Sequence, residues 1–208
     1  MYQGKRGVTM NIAIFASGRG TNFSAIAAAI KKGLIKANLS LLVCDNPKAG
    51  VLLKAKAAKV EVFLADRKTF SSKIDFENAI IEALKKHKIG LIVLAGFMRI
   101  LSARFVRKYY GRIINIHPSL LPAFKGEEGI KDAFSYCVKM TGVTVHFVDV
   151  LMDHGPIILQ QAVVINERDT QKALEEKIHR VEHALYPQAI KLFCEGKLKI
   201  KGRKVSNR

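Results

Sequence analysis

Apolar residues fall into short runs separated by turn signals, and the period inside the runs switches between two kinds. Residues 11–17 (NIAIFAS) form an apolar run that stops at Gly18 and Gly20, a buried strand followed by a turn. Phe23, Ile26, Ala27 and Ile30 then lie at i, i+3, i+4 and i+7, one face of a helix that Lys31, Lys32 and Gly33 suit as an end. Residues 39–44 (LSLLVC) read as a second strand, stopped by Asp45-Asn46-Pro47. Residues 50–58 read as helix and residues 60–64 as a third strand. Asp75 is a candidate cap for a helix with Phe76, Ile80 and Leu84 on one face. Residues 89–95 (IGLIVLA) are the most continuous apolar strand, the pattern of a sheet centre covered on both sides. Ser102 suits the cap of a helix running to Tyr110, and residues 113–116 form another strand, broken by Pro118 and Pro122.

This rhythm predicts an α/β protein: a Rossmann-like three-layer fold with a mostly parallel sheet and right-handed crossovers. After Gly126 the pattern changes. Residues 143–148 (VTVHFV) alternate and residues 156–165 form a second strand-like run, so an antiparallel addition is expected in the C-terminal part. Thr170 suits the cap of a last helix carrying Leu174, Ile178, Val181 and Leu185, which continues past Pro187 or kinks there. No repeat or low-complexity linker interrupts the chain. One domain over residues 10–196 is expected, with a phosphate-binding half (10–100) and a catalytic half (101–196). Residues 1–9 read as an N-terminal extension and residues 197–208 as a basic tail.

Composition changes this picture in one respect. With 49% hydrophobic and 25% charged residues the chain is an ordinary folded protein, but 35 Lys+Arg against 17 Asp+Glu leave +18. Such a balance suggests anionic partners: nucleic acid, phosphorylated metabolites or a polyanionic cofactor. Part of it sits at the ends, on Lys5 and Arg6 and on Lys197, Lys199, Lys201, Arg203, Lys204 and Arg208. Both ends read as solvated, mobile basic tails in preference to a dedicated nucleic-acid arm. The run 91–98 is far short of the ~20 residues a membrane helix needs. Three scattered cysteines, Cys44, Cys137 and Cys194, argue for a reducing compartment, and a cytoplasmic protein is the default expectation.

Four constellations could carry chemistry. Ser17-Gly18-Arg19-Gly20-Thr21-Asn22, between a strand and a helix, reads as a phosphate loop: glycines admit close backbone approach and helix-start N–H groups attract anions. Thr21 and Asn22 are natural caps. The rival is a tight turn without ligand. A dinucleotide fingerprint fits poorly, because Phe23 stands where its third glycine belongs; Asp45 would be its ribose ligand. Asn115 and His117, two apart at the end of a strand, project to one face. An amide that holds an oxyanion beside an imidazole that moves a proton is what acyl-type transfer needs. A turn amide and a packed histidine explain the pair equally well. Asp153, in a turn, would orient His117 and stabilise its protonated form, although a plain turn Asp is the better reading by residue type. His179-Arg180-Val181-Glu182-His183 matches a zinc-peptidase pattern, but no further ligand is evident and chance explains it; no metal is expected. His87 reads as a solvated surface residue and His146 as a buried structural or supporting one.

Taken in order, SGRGTN, LAGFMRILS at 94–102, NIHPSLLPAFKG at 115–126, GVTVHFVDVLMDHGPIILQ at 142–160 and EHALYP at 182–187 resemble the glycinamide ribonucleotide formyltransferase family. The likeness runs from about Asn11 to Lys197 in matching order and spacing. It implies formyl transfer from 10-formyltetrahydrofolate to the glycinamide amine in purine synthesis, with no metal. It implies Asn115, His117 and Asp153 as the catalytic group, and Gly20, Thr21 and Asn22 as the holders of the substrate phosphate. Glu182, with His179 near it, would contact the ribonucleotide. Met98, Arg99, Ile100 and Leu101 would line the folate pocket together with Asn115. The loop Asp149, Val150, Leu151, Met152 and Asp153 would close over the pteridine. Lys73 stands where the family often has Arg and could meet the folate carboxylates, without an arginine's bidentate grip. His154 occupies a position where a small residue is frequent.

The resemblance implies small-molecule partners, no specific nucleic acid, no membrane, and a monomer or homodimer. Methionyl-tRNA formyltransferase would need a further tRNA-binding domain and formyltetrahydrofolate hydrolase a regulatory one, for which 208 residues leave no room. A nucleic-acid-binding module would explain the charge but not the Asn115, His117 and Asp153 group.

Overall fold

The computed structural model describes residues 9–207. Within them β1 (Met10–Phe15), β2 (Ala37–Cys44), β3 (Val62–Leu64), β4 (Leu91–Leu94), β5 (Ile113–His117), β6 (Met140–Phe147) and β7 (Ile157–Val164) form a sheet of order β3-β2-β1-β4-β5-β6-β7. The first five strands pair in parallel, β6 adds antiparallel to β5, and β7 adds antiparallel to β6. The strand order reverses between β1 and β4, which opens a crevice at their C-terminal ends.

Alternation puts β1 side chains on both faces of the sheet. Ile12 and Ile14 enter one core with α1 (Thr21–Lys31), α2 (Val51–Ala57) and α6 (Gln171–Cys194). Ala13 and Phe15 enter the other, with α3 (Lys73–Lys86) and α4 (Ala103–Lys108). Both faces are covered, and this is why the central strands read as unbroken apolar runs. Tyr186 of α6 is fully buried and its hydroxyl reaches the carbonyls of Leu94 (2.7 Å) and Ile114 (3.0 Å), tying the helix to the ends of β4 and β5. Burial pushes that phenol well above its ordinary pKa, so it stays a donor. Among the described residues no helix is long and apolar enough to cross a membrane.

Several local expectations change. The N-cap of α3 is Ser72, not Asp75. Asp75 sits three residues on, where its amide donates to the Ser72 hydroxyl and its carboxylate accepts from it, a reciprocal capping arrangement. Thr21 and Asn22 do not cap α1 but fill its first turn behind Gly20. His87 is half-buried against Glu61 at 3.2 Å rather than solvated. Helix α6 runs through Pro187 without ending. A short helix, α5 (Gly129–Ser135), had no expectation. The C-terminal end is not a free tail: β8 (Leu198–Lys201) and β9 (Lys204–Asn207) pair antiparallel, and Leu198, Ile200 and Val205 pack on the main core. The N-terminal extension, including Lys5 and Arg6, and also Arg208, lie outside the described residues.

Candidate active site

The crevice is a cleft of about 430 Å³. Its near wall is the turn after β1. Gly20 there has φ 71°, in the left-handed region, and a Cβ on it would stand 2.5 Å from Val51 Cγ2, so only glycine fits. The first helical bond of α1 is Ser24 N–H to Gly20 O, and the amides ahead of Ser24 have no helical carbonyl to take. Ser17 holds the turn against the β4 side: its amide donates to Gly96 O (2.9 Å) and its hydroxyl accepts from Met98 N–H (2.9 Å). Lys54 of α2 donates to Gly20 O at 3.3 Å, bringing a cation that sequence spacing did not indicate to the loop.

Glu182 of α6 is buried beside this turn. Asn22 Nδ2 and His179 Nδ1 both contact its Oε2, at 3.1 and 3.0 Å, which leaves Oε1 for a ligand. The bond to Glu182 raises the His179 pKa, against the opposing effects of burial and Arg19. The raised folded-state value means that the charged pair adds stability in full below the ordinary pKa of 6.5, and that the increment fades as pH rises through the raised value. The melting-temperature gap between wild type and His179→Gln is therefore expected to be largest near pH 5.5 and to shrink by about pH 8.5. A gap that widens with pH would contradict the pairing. His183 stacks parallel to His179 with centroids 6.3 Å apart, and burial lowers its pKa. Of the zinc-like pattern, His179 is thus tied to Glu182, while His183 Nε2 is buried without a hydrogen-bond partner among the described residues.

The far wall comes from β5 and the loop after β6. Asn115 and His117 share one face of β5, as their spacing of two predicts, while Ile114 and Ile116 enter the core on the other. Asn115 lies opposite His146, and its Nδ2 is 3.3 Å from His146 Nε2. His146 Nδ1 donates to Phe147 O (2.8 Å), so its Nε2 carries the lone pair that accepts from Asn115. Burial lowers the His146 pKa, which keeps the ring neutral and the arrangement intact. The Asn115 amide is thereby fixed in orientation with one N–H left for a ligand.

The buried His117 donates from Nε2 to Phe124 O at 2.7 Å, and its Nδ1 lies 3.4 Å from Asp153 Oδ2. That Nδ1 contact is long for a hydrogen bond and leaves the nitrogen to be shared with a third group. Asp153 Oδ2 also accepts from Gly126 N–H (2.9 Å), and Asp153 itself has φ 47°, an uncommon conformation for a residue other than glycine. The turn residue by type is thus a strained carboxylate aimed at an imidazole.

Of the site residues expected from sequence, Gly20, Thr21, Asn22, Met98, Arg99, Ile100, Leu101, Asn115, His117, Asp149, Val150, Leu151, Met152, Asp153 and Glu182 all line this cleft. Lys73, the exposed first residue of α3, does not. Asp45 is not disposed as a ribose ligand: its buried carboxylate pairs with Arg99 Nε at 2.6 Å. Buried Glu77 was not anticipated either. It accepts from the Ser102 amide (2.7 Å) and hydroxyl, fixing the start of α4 below the Met98–Leu101 segment.

A phosphate-type loop faces an amide, an imidazole and a carboxylate across the switch point of a doubly wound sheet, the arrangement of an enzyme that moves a group between small molecules. The chain belongs to the formyl transferase family, whose model matches residues 10–190. It is 48% identical over 179 residues to the phosphoribosylglycinamide formyltransferase of Bacillus subtilis, covering 86% of this chain and 92% of that protein. It is 41% identical to the trifunctional purine biosynthetic protein adenosine-3 of Gallus gallus over 92% of this chain, which spans only 19% of that larger protein. In structure it is similar to glycinamide ribonucleotide transformylase 1 of Symbiobacterium toebii, with TM-score 0.94, 40% identity, and coverage of 97% of this chain and 95% of that one.

Proposed function

We propose that the protein transfers the formyl group of 10-formyltetrahydrofolate to the amine of glycinamide ribonucleotide, a step of purine biosynthesis. The observation that carries this reading is the meeting of Asn115, His117 and Asp153 with the Gly20–Asn22 turn in one cleft. The relatives, a phosphoribosylglycinamide formyltransferase among them, point the same way.

The folate is a substrate consumed in each turnover, and it supplies a formyl group on N10. The residues present suit it: Met98, Ile100, Val150, Leu151 and Met152 are all more than half exposed around the cleft, an apolar rim that a flat ring system would cover. Lys73, standing outside the cleft, could serve only the carboxylate tail. The turn amides of Thr21 and Asn22 bind the ribonucleotide phosphate, and Glu182 Oε1 accepts from its ribose.

In the reaction a C–N bond forms to the substrate amine, the C–N10 bond breaks, and one proton passes from the amine to N10. The free Nδ2–H of Asn115 donates to the formyl oxygen, which becomes an oxyanion as the amine adds. His117 stands beside it, with Nε2–H fixed on Phe124 O and Nδ1 available between Asp153 and the reacting groups. Asp153 orients that imidazole and, through water, carries the proton. Positive charge on the protein favours capture of two anionic ligands, an advantage that weakens with salt.

A formyl-transfer assay with 10-formyltetrahydrofolate and three acceptors tests the proposal. Glycinamide ribonucleotide is expected to be formylated, with little formate released to water and none transferred to methionyl-tRNA. Turnover on water or tRNA alone would overturn it.

A further inference from the structure

The turn of the C-terminal hairpin lies against the loop that carries Asp153. Strands β8 and β9 close at the pair Lys201 and Lys204, with Gly202 and Arg203 in the turn. The hairpin is anchored through Leu198, Ile200 and Val205 on the core, and Lys197 pairs with Glu195 at 2.8 Å at its base. Arg203 is therefore presented from a fixed position. Its Nη1 lies over the His154 ring, 2.9 Å from Nε2 and 3.4 Å from Nδ1, and His154 Nδ1 lies 2.7 Å from Asp149 Oδ2.

The chemistry allows one reading of this chain of contacts. A guanidinium only donates and a carboxylate only accepts. Nδ1–H of His154 donates to Asp149, while the Arg203 guanidinium, close to both ring nitrogens, rests on the face of the ring. Asp149 then spends its other oxygen, Oδ1, on Leu151 N–H at 3.0 Å. The relay thus runs from the hairpin into the first turn of the loop.

The loop needs support from this side. Its far end is pinned, since Phe147 N–H donates to Pro156 O (2.9 Å) and Gly155 packs so closely that a Cβ would fall 1.8 Å from Phe147 O. Between the ends, Val150, Leu151 and Met152 are exposed and give the loop little core packing. Asp153, at its strained φ, is the immediate neighbour of His154. Holding His154 therefore holds the position from which Asp153 meets His117.

We propose that Arg203 is a positioning residue: through His154 and Asp149 the hairpin braces the loop in the conformation that takes the formyl donor. The proposal rests on the functional reading above for its kinetic consequence, but not for its structural one.

The test compares wild type with Arg203→Ala, Arg203→Lys, His154→Ala and the Arg203→Ala/His154→Ala double variant. Arg203→Ala and His154→Ala are each expected to raise KM for 10-formyltetrahydrofolate about fivefold, the double variant no further than either single, because both break one chain. KM for glycinamide ribonucleotide should stay unchanged, and Arg203→Lys, which keeps a cation against His154 but not the flat group that rests on its ring, should recover part of the loss. Amide exchange at Leu151 is read in parallel and should speed up in Arg203→Ala. Faster exchange in a protein that lacks formyl transfer would condemn the functional reading and keep the brace. Unchanged exchange, single effects that multiply in the double variant, or a lower melting temperature with unaltered KM would overturn the brace itself.

Discussion

Asn115→Ala is expected to lower kcat by about 10²–10³ while the protein stays folded, because in the proposed reaction the substitution removes an oriented donor from the point where negative charge develops. The amide is held in place before any ligand arrives. His146, neutral and fixed by its bond to Phe147 O, takes one Nδ2–H and leaves the other aimed into the cleft. Truncation loses that half-buried contact, a stability cost of about 1 kcal/mol, so a melting curve close to wild type should accompany the kinetic loss. His117→Ala and Asp153→Asn are expected to act through the proton and the geometry of the same group, and each should also cut kcat severely. Pre-steady-state turnover at saturating substrates separates these losses from binding. If kcat of Asn115→Ala stays within a few-fold of wild type in a folded protein, the oxyanion role belongs to another donor.

The part of this site that could be read from the chain is the part written at short spacing. Residues 115 and 117 face one way because strand side chains alternate, and that alone places an amide beside an imidazole. The turn at Gly18–Asn22 is likewise local, since it follows from a strand that stops at glycines. What could not be read was the pairing across long stretches. Nothing near Asp45 indicates Arg99, nothing near Ser102 indicates Glu77, and His154 and Arg203 are 49 residues apart. Each of these is a choice of partner made by the fold.

The hairpin is a different kind of miss. Leu198, Lys199, Ile200 and Lys201 alternate apolar and basic, and Gly202-Arg203 is a turn before Val205, so a strand period was present. The density of lysine made the segment look solvated, although only alternate side chains need solvent. Part of the +18 charge that first suggested a polyanion is thus the outward face of a folded element whose inward face rests on the core.

Gly20→Ala should damage folding and substrate capture together. The position requires φ 71°, which costs a residue with a Cβ roughly 1–2 kcal/mol. The added methyl would also stand 2.5 Å from Val51 Cγ2, 2.7 Å from its Cβ and 3.1 Å from its Cα. The last of these is backbone, so a change of rotamer cannot relieve it. Overpacking of this kind costs about 1–3 kcal/mol, and the two effects together should lower the melting temperature by roughly 5–15 °C. Val51 cannot retreat freely, because its amide donates to Gly18 O (3.1 Å) and it begins the helix that carries Lys54 to the same turn. Any relief therefore shifts the turn amides proposed to hold the phosphate, and KM for glycinamide ribonucleotide should rise at least tenfold while KM for the folate changes little. Adding Val51→Ala removes the Cγ2 contact but not those with Cβ and Cα or the φ requirement. The double variant should regain part of the stability and little of the affinity. Full recovery of both would mean that the Cγ2 contact alone, and not the left-handed turn, is what demands glycine here.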